Sequence, residues 1–131
     1  MIRYLDTSAA LKLVLQEKES SSLLDWIETV GEQGDRMISS WLMYAEMRCA
    51  LQRQSHLDAL EVDRVMSVVE LFDILRQDFM QAPISGMGLR AADAIHLAAA
   101  LRIGADAIIT YDEELIARAQ TIGLEVNSPG Q

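Results

Sequence analysis

Four acidic residues sit where an apolar segment ends or is interrupted: Asp6, Glu46, Asp93 and Asp112. Carboxylate-only ligand sets suit hard divalent cations such as Mg²⁺ and Mn²⁺, which keep several waters and take one or two carboxylates each. One or two such ions about 4 Å apart can activate a water, neutralise charge on a phosphoryl group and stabilise a leaving oxygen. Gathered acids of this kind therefore suit phosphodiester hydrolysis, and without metal they repel one another and the phosphate. No Ser-His-Asp set, glycine-rich phosphate loop or zinc-ligand pair competes with this reading.

Each acid also has a plainer explanation. Asp6 lies in Tyr4-Leu5-Asp6-Thr7-Ser8 between an apolar run and a helical one, where Asp and Ser both serve as N-caps. Glu46 has Leu42, Met43, Cys49 and Ala50 as its helical neighbours, which puts its carboxylate on the apolar stripe. A buried carboxylate must be paired, protonated or metal-bound, and Arg48 or Arg53 could be its partner, although both fall on other faces of the helix. Asp93 could simply answer a helix dipole, worth roughly 0.3–1 kcal/mol, yet it shares a face with Leu89, His96 and Leu97. Asp112 falls inside Thr110-Tyr111-Asp112-Glu113, whose spacing fits a capping box with Thr110 as cap and Glu113 answering it. His96 reads as a core histidine with one satisfied nitrogen, His56 as exposed, and Cys49 as buried and inert. Ser8 is within reach of a site built on Asp6.

The elements that must position these residues alternate. Met1–Leu5, Met37–Ser40, Leu71–Leu75, Ala107–Thr110 and Leu124–Val126 read as strands, although Glu70–Arg76 could equally extend the helix before it. Between them, Thr7–Gln16, Lys18–Gln33, Trp41–Gln54, Leu57–Val69, Gln77–Ser85, Leu89–Arg102 and Glu113–Ile122 read as helices, stopped at Gly31/Gly34, Gly86/Gly88, Gly104 and Gly123. Strands alternating with helices imply a parallel sheet covered on both faces, with its site beyond the carboxyl ends of the strands. That rule selects Asp6 and Asp112.

The 131 residues suit one domain, residues 1–131, and half of them are hydrophobic, enough for a core without disulfides. One cysteine excludes an intrachain disulfide and a thiolate cluster. No run is apolar and long enough to span a membrane, and the first residues lack the order of a signal peptide, so a cytoplasmic protein is expected. The net charge of −9 opposes nucleic-acid binding unless some acids hold cations, and it also fits a basic partner.

The ordered set Tyr4-Leu5-Asp6-Thr7-Ser8, Tyr44-Ala45-Glu46-Met47, Ala92-Asp93-Ala94-Ile95-His96-Leu97-Ala98 and Thr110-Tyr111-Asp112 resembles the PIN-domain ribonucleases, most closely the VapC-type toxins of bacterial toxin–antitoxin pairs. The resemblance spans nearly the whole chain, and the Asp93 segment is its most specific part. It implies that Asp6, Glu46, Asp93 and Asp112 bind Mg²⁺ or Mn²⁺, with Ser8 and Thr110 as polar residues near the site and His96 as a motif position that is not a ligand. Tyr111 departs from the Asn of many relatives. The likeness further implies an α/β/α three-layer sandwich around a parallel sheet of four to five strands, a homodimer, an RNA substrate, and inhibition by a cognate antitoxin offering a basic or apolar segment. Two other readings remain: a PIN-like RNA-processing nuclease without antitoxin, which an adjacent reading frame for a DNA-binding protein would separate, and a non-catalytic PIN-like binding module, which the presence of all four acids disfavours.

Overall fold

The computed structural model describes residues 1–131. Five strands form one parallel sheet: β1 (Ile2–Leu5), β2 (Arg36–Ser40), β3 (Glu70–Phe72), β4 (Ala107–Ile109) and β5 (Glu125–Asn127), in the order β3-β2-β1-β4-β5. The connections are helical: α1 (Thr7–Val14) and α2 (Ser20–Glu32), then α3 (Trp41–Arg53) and α4 (Ala59–Val68), α5 (Arg76–Ser85) and α6 (Ala91–Ile103), and finally α7 (Glu113–Thr121). The expected alternation, parallel sheet and three layers are all present, with ends shifted by a few residues. The segment after α4 pairs with β2, Glu70 opposite Ile38, so it does not extend the helix.

Strand alternation supplies two cores from one sheet. Leu5 and Ile109 face α1–α4 and pack with Ala9, Leu23, Met43, Met47 and Val62. Their neighbours Tyr4 and Ile108 face the opposite layer, against Leu97, Ala100, Leu115 and Ala119 of α6 and α7. Helix α5 rides on α6 at close range, since a Cβ at Gly86 would lie 2.5 Å from the Ala94 Cβ. Gly104, at φ 82°, closes α6 in the left-handed conformation that an L side chain resists.

The order has one consequence for function. From β1 the chain builds outward through β2 and β3, then returns to lay β4 on the other side of β1. The direction of winding reverses between β1 and β4, and the crevice beyond their carboxyl ends is where such sheets bind ligands.

Cys49 is exposed, contrary to the expectation from its apolar neighbours. The buried stripe of α3 is Met43, Met47 and Ala50, and Cys49 falls at its outer edge, beside Glu46. His56 is exposed, as expected. No helix is long and apolar enough to cross a membrane.

Candidate metal centre at the β1–β4 crevice

Asp6 stands at the β1–β4 seam, where its backbone N–H continues the sheet by donating to the Ile109 carbonyl at 3.0 Å. Its side chain also caps α1, so the capping and site readings describe the same residue. The carboxyl is 2 % exposed. One oxygen, Oδ2, accepts from Ser8 Oγ at 2.8 Å, Thr110 Oγ1 at 2.9 Å and the Ser8 backbone N–H at 3.3 Å. Both hydroxyls are in turn oriented from behind, because the Tyr111 N–H donates to Ser8 Oγ and the Asp112 N–H to Thr110 Oγ1. With their lone pairs so occupied, the hydroxyl hydrogens are directed onto Asp6. The other oxygen, Oδ1, accepts no hydrogen bond; its nearest cationic neighbour is His96 Nε2, 3.8 Å away.

Glu46 reaches the crevice from α3. Oε1 accepts from Thr7 Oγ1 at 2.8 Å and from His96 Nε2 at 2.6 Å, and Oε2 is free. Neither Arg48 nor Arg53 is the partner: Arg48 binds Asp63 of α4 at 2.6 Å, and His96, fifty positions away, takes the role. The expectation of one satisfied histidine nitrogen is also too modest. Nδ1 of the fully buried His96 lies 2.7 Å from the Tyr4 hydroxyl, which lies 2.8 Å from Ser40 Oγ. Because Nε2 faces carboxylate oxygen, it must carry a hydrogen, and a protonated nitrogen is no metal ligand.

Electrostatics follow from this packing. Burial opposes the charge on Glu46, but the hydrogen bond and charge of His96, with help from Thr7, outweigh it and hold the acid below the ordinary glutamate range. Burial likewise opposes the imidazolium, yet Glu46, Asp6 and Asp93 together raise the His96 pKa above its usual value. Tyr4 is pushed far upward by burial and stays a neutral phenol.

Asp93, in the first turn of α6, has no hydrogen bond on either oxygen and is half-buried. Burial, then the charges of Asp6 and Asp112, raise its pKa to about 6. Asp112 is itself the N-cap of α7, with Oδ1 accepting from the Leu115 N–H at 2.8 Å. The Thr110–Glu113 capping box does not form. Strand β4 stops at Ile109, the Thr110 hydroxyl turns inward to Asp6, and the helix cap moves from Thr110 to Asp112.

The four acids thus share a plan. Asp6, Glu46 and Asp112 each use one oxygen to be held by the protein and leave the other free, while Asp93 leaves both. No three His, Cys, Asp or Glu side chains close into a ready-made cage. Open, like-charged, all-oxygen donors fit a hard dication better than they fit zinc. Sequence reasoning missed Thr7, Tyr4 and Ser40. The placement of Tyr4 two residues before Asp6, on the same face of the strand, was the available signal.

Residues 3–120 match the family described as PIN domain. Ribonuclease VapC35 of Mycobacterium tuberculosis (strain ATCC 25618 / H37Rv) is 36% identical, over 98% of this chain and 97% of the relative. Ribonuclease VapC47 of Mycobacterium tuberculosis (strain CDC 1551 / Oshkosh) is 32% identical, over 97% and 96%. Among solved structures, VapBC2 from Rickettsia felis, bound to a DNA fragment from their promoter, superposes with a TM-score of 0.76 at 15% identity, covering 97% of this chain and 98% of that one. Mycobacterium tuberculosis VapC20, a Sarcin-Ricin loop cleaving toxin, gives 0.66 at 14% identity, over 88% and 93%. At those identities the two structures speak for the fold, whereas the sequence relatives and the family match speak for kinship. The chain belongs to the PIN-domain family.

Proposed function

We propose that this chain, acting as one domain over residues 1–131, is an Mg²⁺- or Mn²⁺-dependent endoribonuclease and the toxin of a toxin–antitoxin pair. The observation that carries the reading is the set of uncommitted oxygens of Asp6, Glu46, Asp93 and Asp112 around the switch point of the sheet. Two features support the substrate and setting: the full-length similarity to ribonucleases named VapC, and the acidic surface, which suits a basic antitoxin. Homodimer formation and action in the cytoplasm belong to the same proposal.

When bound, a dication supplies an activated water and neutralises the negative charge that develops on the phosphoryl oxygens. The protein's own part is orientation. Ser8 and Thr110 fix Asp6 so that Oδ1 faces the crevice, and Thr7 and His96 fix Glu46 so that Oε2 does. The 2.8 Å bond from Leu115 anchors Asp112 from the backbone. Asp93, which makes no hydrogen bond of its own, would offer its carboxylate to the dication from the first turn of α6.

The test compares wild type with Asp6→Asn for Mn²⁺-dependent cleavage of single-stranded RNA. Cleavage by wild type alone, abolished by EDTA and restored by Mn²⁺, is the expected result. Equal cleavage by both preparations would mark the activity as a contaminant.

A further inference from the structure

A chain of net charge −9 repels a polyanion at long range, so RNA must be held by local positive groups. Most cationic side chains are already committed. Arg36 is paired with Glu70, Arg48 with Asp63 and Arg102 with Asp78, while Lys12 is held between Glu17 and Glu19. Two arginines beside the acids are not. Arg53 is exposed, has no carboxylate partner, and lines a cavity of about 250 Å³ together with Glu46, Ala45 and Cys49. Contrary to the expectation that it falls on another face, Arg53 lies about two helical turns beyond Glu46 on the same side of α3, roughly 10 Å along the axis. Glu46, the acid that shares that cavity, makes no ion pair with it; its Oε1 is held by His96 and Thr7. Arg90 is the exposed N-cap residue of α6, one turn before Asp93, and it too has no acidic partner. The two therefore approach the acid cluster from different helices in opposite layers of the sandwich.

We infer that Arg53 and Arg90 are substrate-binding residues that grip backbone phosphates of single-stranded RNA on either side of the phosphate being cut. The inference rests on the ribonuclease reading for its substrate class and adds the groups that hold it. A guanidinium fork matches phosphate bidentately and stays charged at any working pH. Placed outside the ring of acids, it supplies attraction that Asp6, Glu46, Asp93 and Asp112 cannot. It also leaves the cut site itself to the cation.

The experiment titrates a fluorescent single-stranded RNA with protein in Ca²⁺ and follows anisotropy over a range of salt, with a gel confirming that the RNA stays intact. Arg53→Gln and Arg90→Gln are each expected to weaken binding about tenfold and to lower the slope of log affinity against log salt by about 0.7, the value for one phosphate contact on a single strand. Arg36→Gln removes the same charge at the opposite edge of the sheet and is the control; it should bind as wild type. In Mn²⁺ turnover, the two site variants should raise KM and leave kcat within about twofold, as expected for groups that bind ground and transition state alike. Affinity and salt slope equal to the control's would overturn the inference, including the case in which these arginines serve a protein partner. A wild type that binds RNA through them yet never cuts it would contradict the ribonuclease reading while leaving this surface in place.

Discussion

Two buried aspartates in this molecule have opposite fates. Asp78, on α5, is 1 % exposed, and Asp6 is 2 % exposed. Asp78 Oδ1 accepts from Arg102 Nε at 2.7 Å, and Oδ2 accepts from Arg102 Nη2 at 3.0 Å and from the Leu75 N–H at 2.8 Å. Both of its oxygens are filled, its charge is answered, and it clamps α5 to α6. Asp6 is packed as tightly, but its donors crowd onto one oxygen, and the other shares the crevice with Asp93, whose pKa its charge helps to raise. Burial of a carboxylate therefore does not by itself mark function; an oxygen left open beside like charges does.

Substitutions can break this contrast or sharpen it. The largest effect is expected for Asp6→Asn, which keeps the size and the capping oxygen but removes the charge. RNA cleavage should fall by about a thousandfold or more, as for loss of a group acting on transition-state charge, while the metal-free protein unfolds at the same or higher urea. Asp78→Ala should do the reverse. Leaving the Arg102 guanidinium without its partner should cost about 3 kcal/mol in urea titrations, with turnover per folded molecule unchanged.

A smaller effect concerns pH. The folded pKa of Asp93, about 6, lies above its ordinary 3.8, so the folded state binds the proton more tightly than the unfolded one. Metal-free stability from this group is therefore present at low pH and lost as pH rises from about 4 through 6. Urea midpoints in EDTA should fall across that window for wild type, and Asp93→Asn should flatten that part of the fall. Saturating Mn²⁺ should remove it as well. The smallest effect is expected from Tyr4→Phe, which deletes the hydroxyl between His96 and Ser40. It should cost about 1 kcal/mol of stability and reduce kcat a few-fold through looser placement of Glu46.

Much of this arrangement was readable from local pattern. Apolar runs of strand length alternating with helical periods led to the parallel sheet, and the position of Asp6 directly after Met1–Leu5 put it at the sheet's carboxyl edge. Partners across the fold were harder. Glu46 and His96 are fifty positions apart, and helical periodicity tells which face a residue occupies but not which helix lies opposite. The same limit explains why Arg48 and Arg53 had to be weighed as partners for Glu46 and why Cys49 was misplaced, since the width of a buried stripe depends on its neighbour's shape. At Asp112 a local motif misled because a tertiary bond, Thr110 to Asp6, claimed the hydroxyl that would have capped the helix.

A crystal soaked in Mn²⁺ and measured at the manganese absorption edge addresses the open-oxygen arrangement most directly. Anomalous density is expected within coordination distance of Asp6 Oδ1 and an Asp93 oxygen, with Oδ2 still bonded to Ser8 and Thr110. Density remote from Asp6, or bound through Oδ2 with those two hydroxyls displaced, would contradict it.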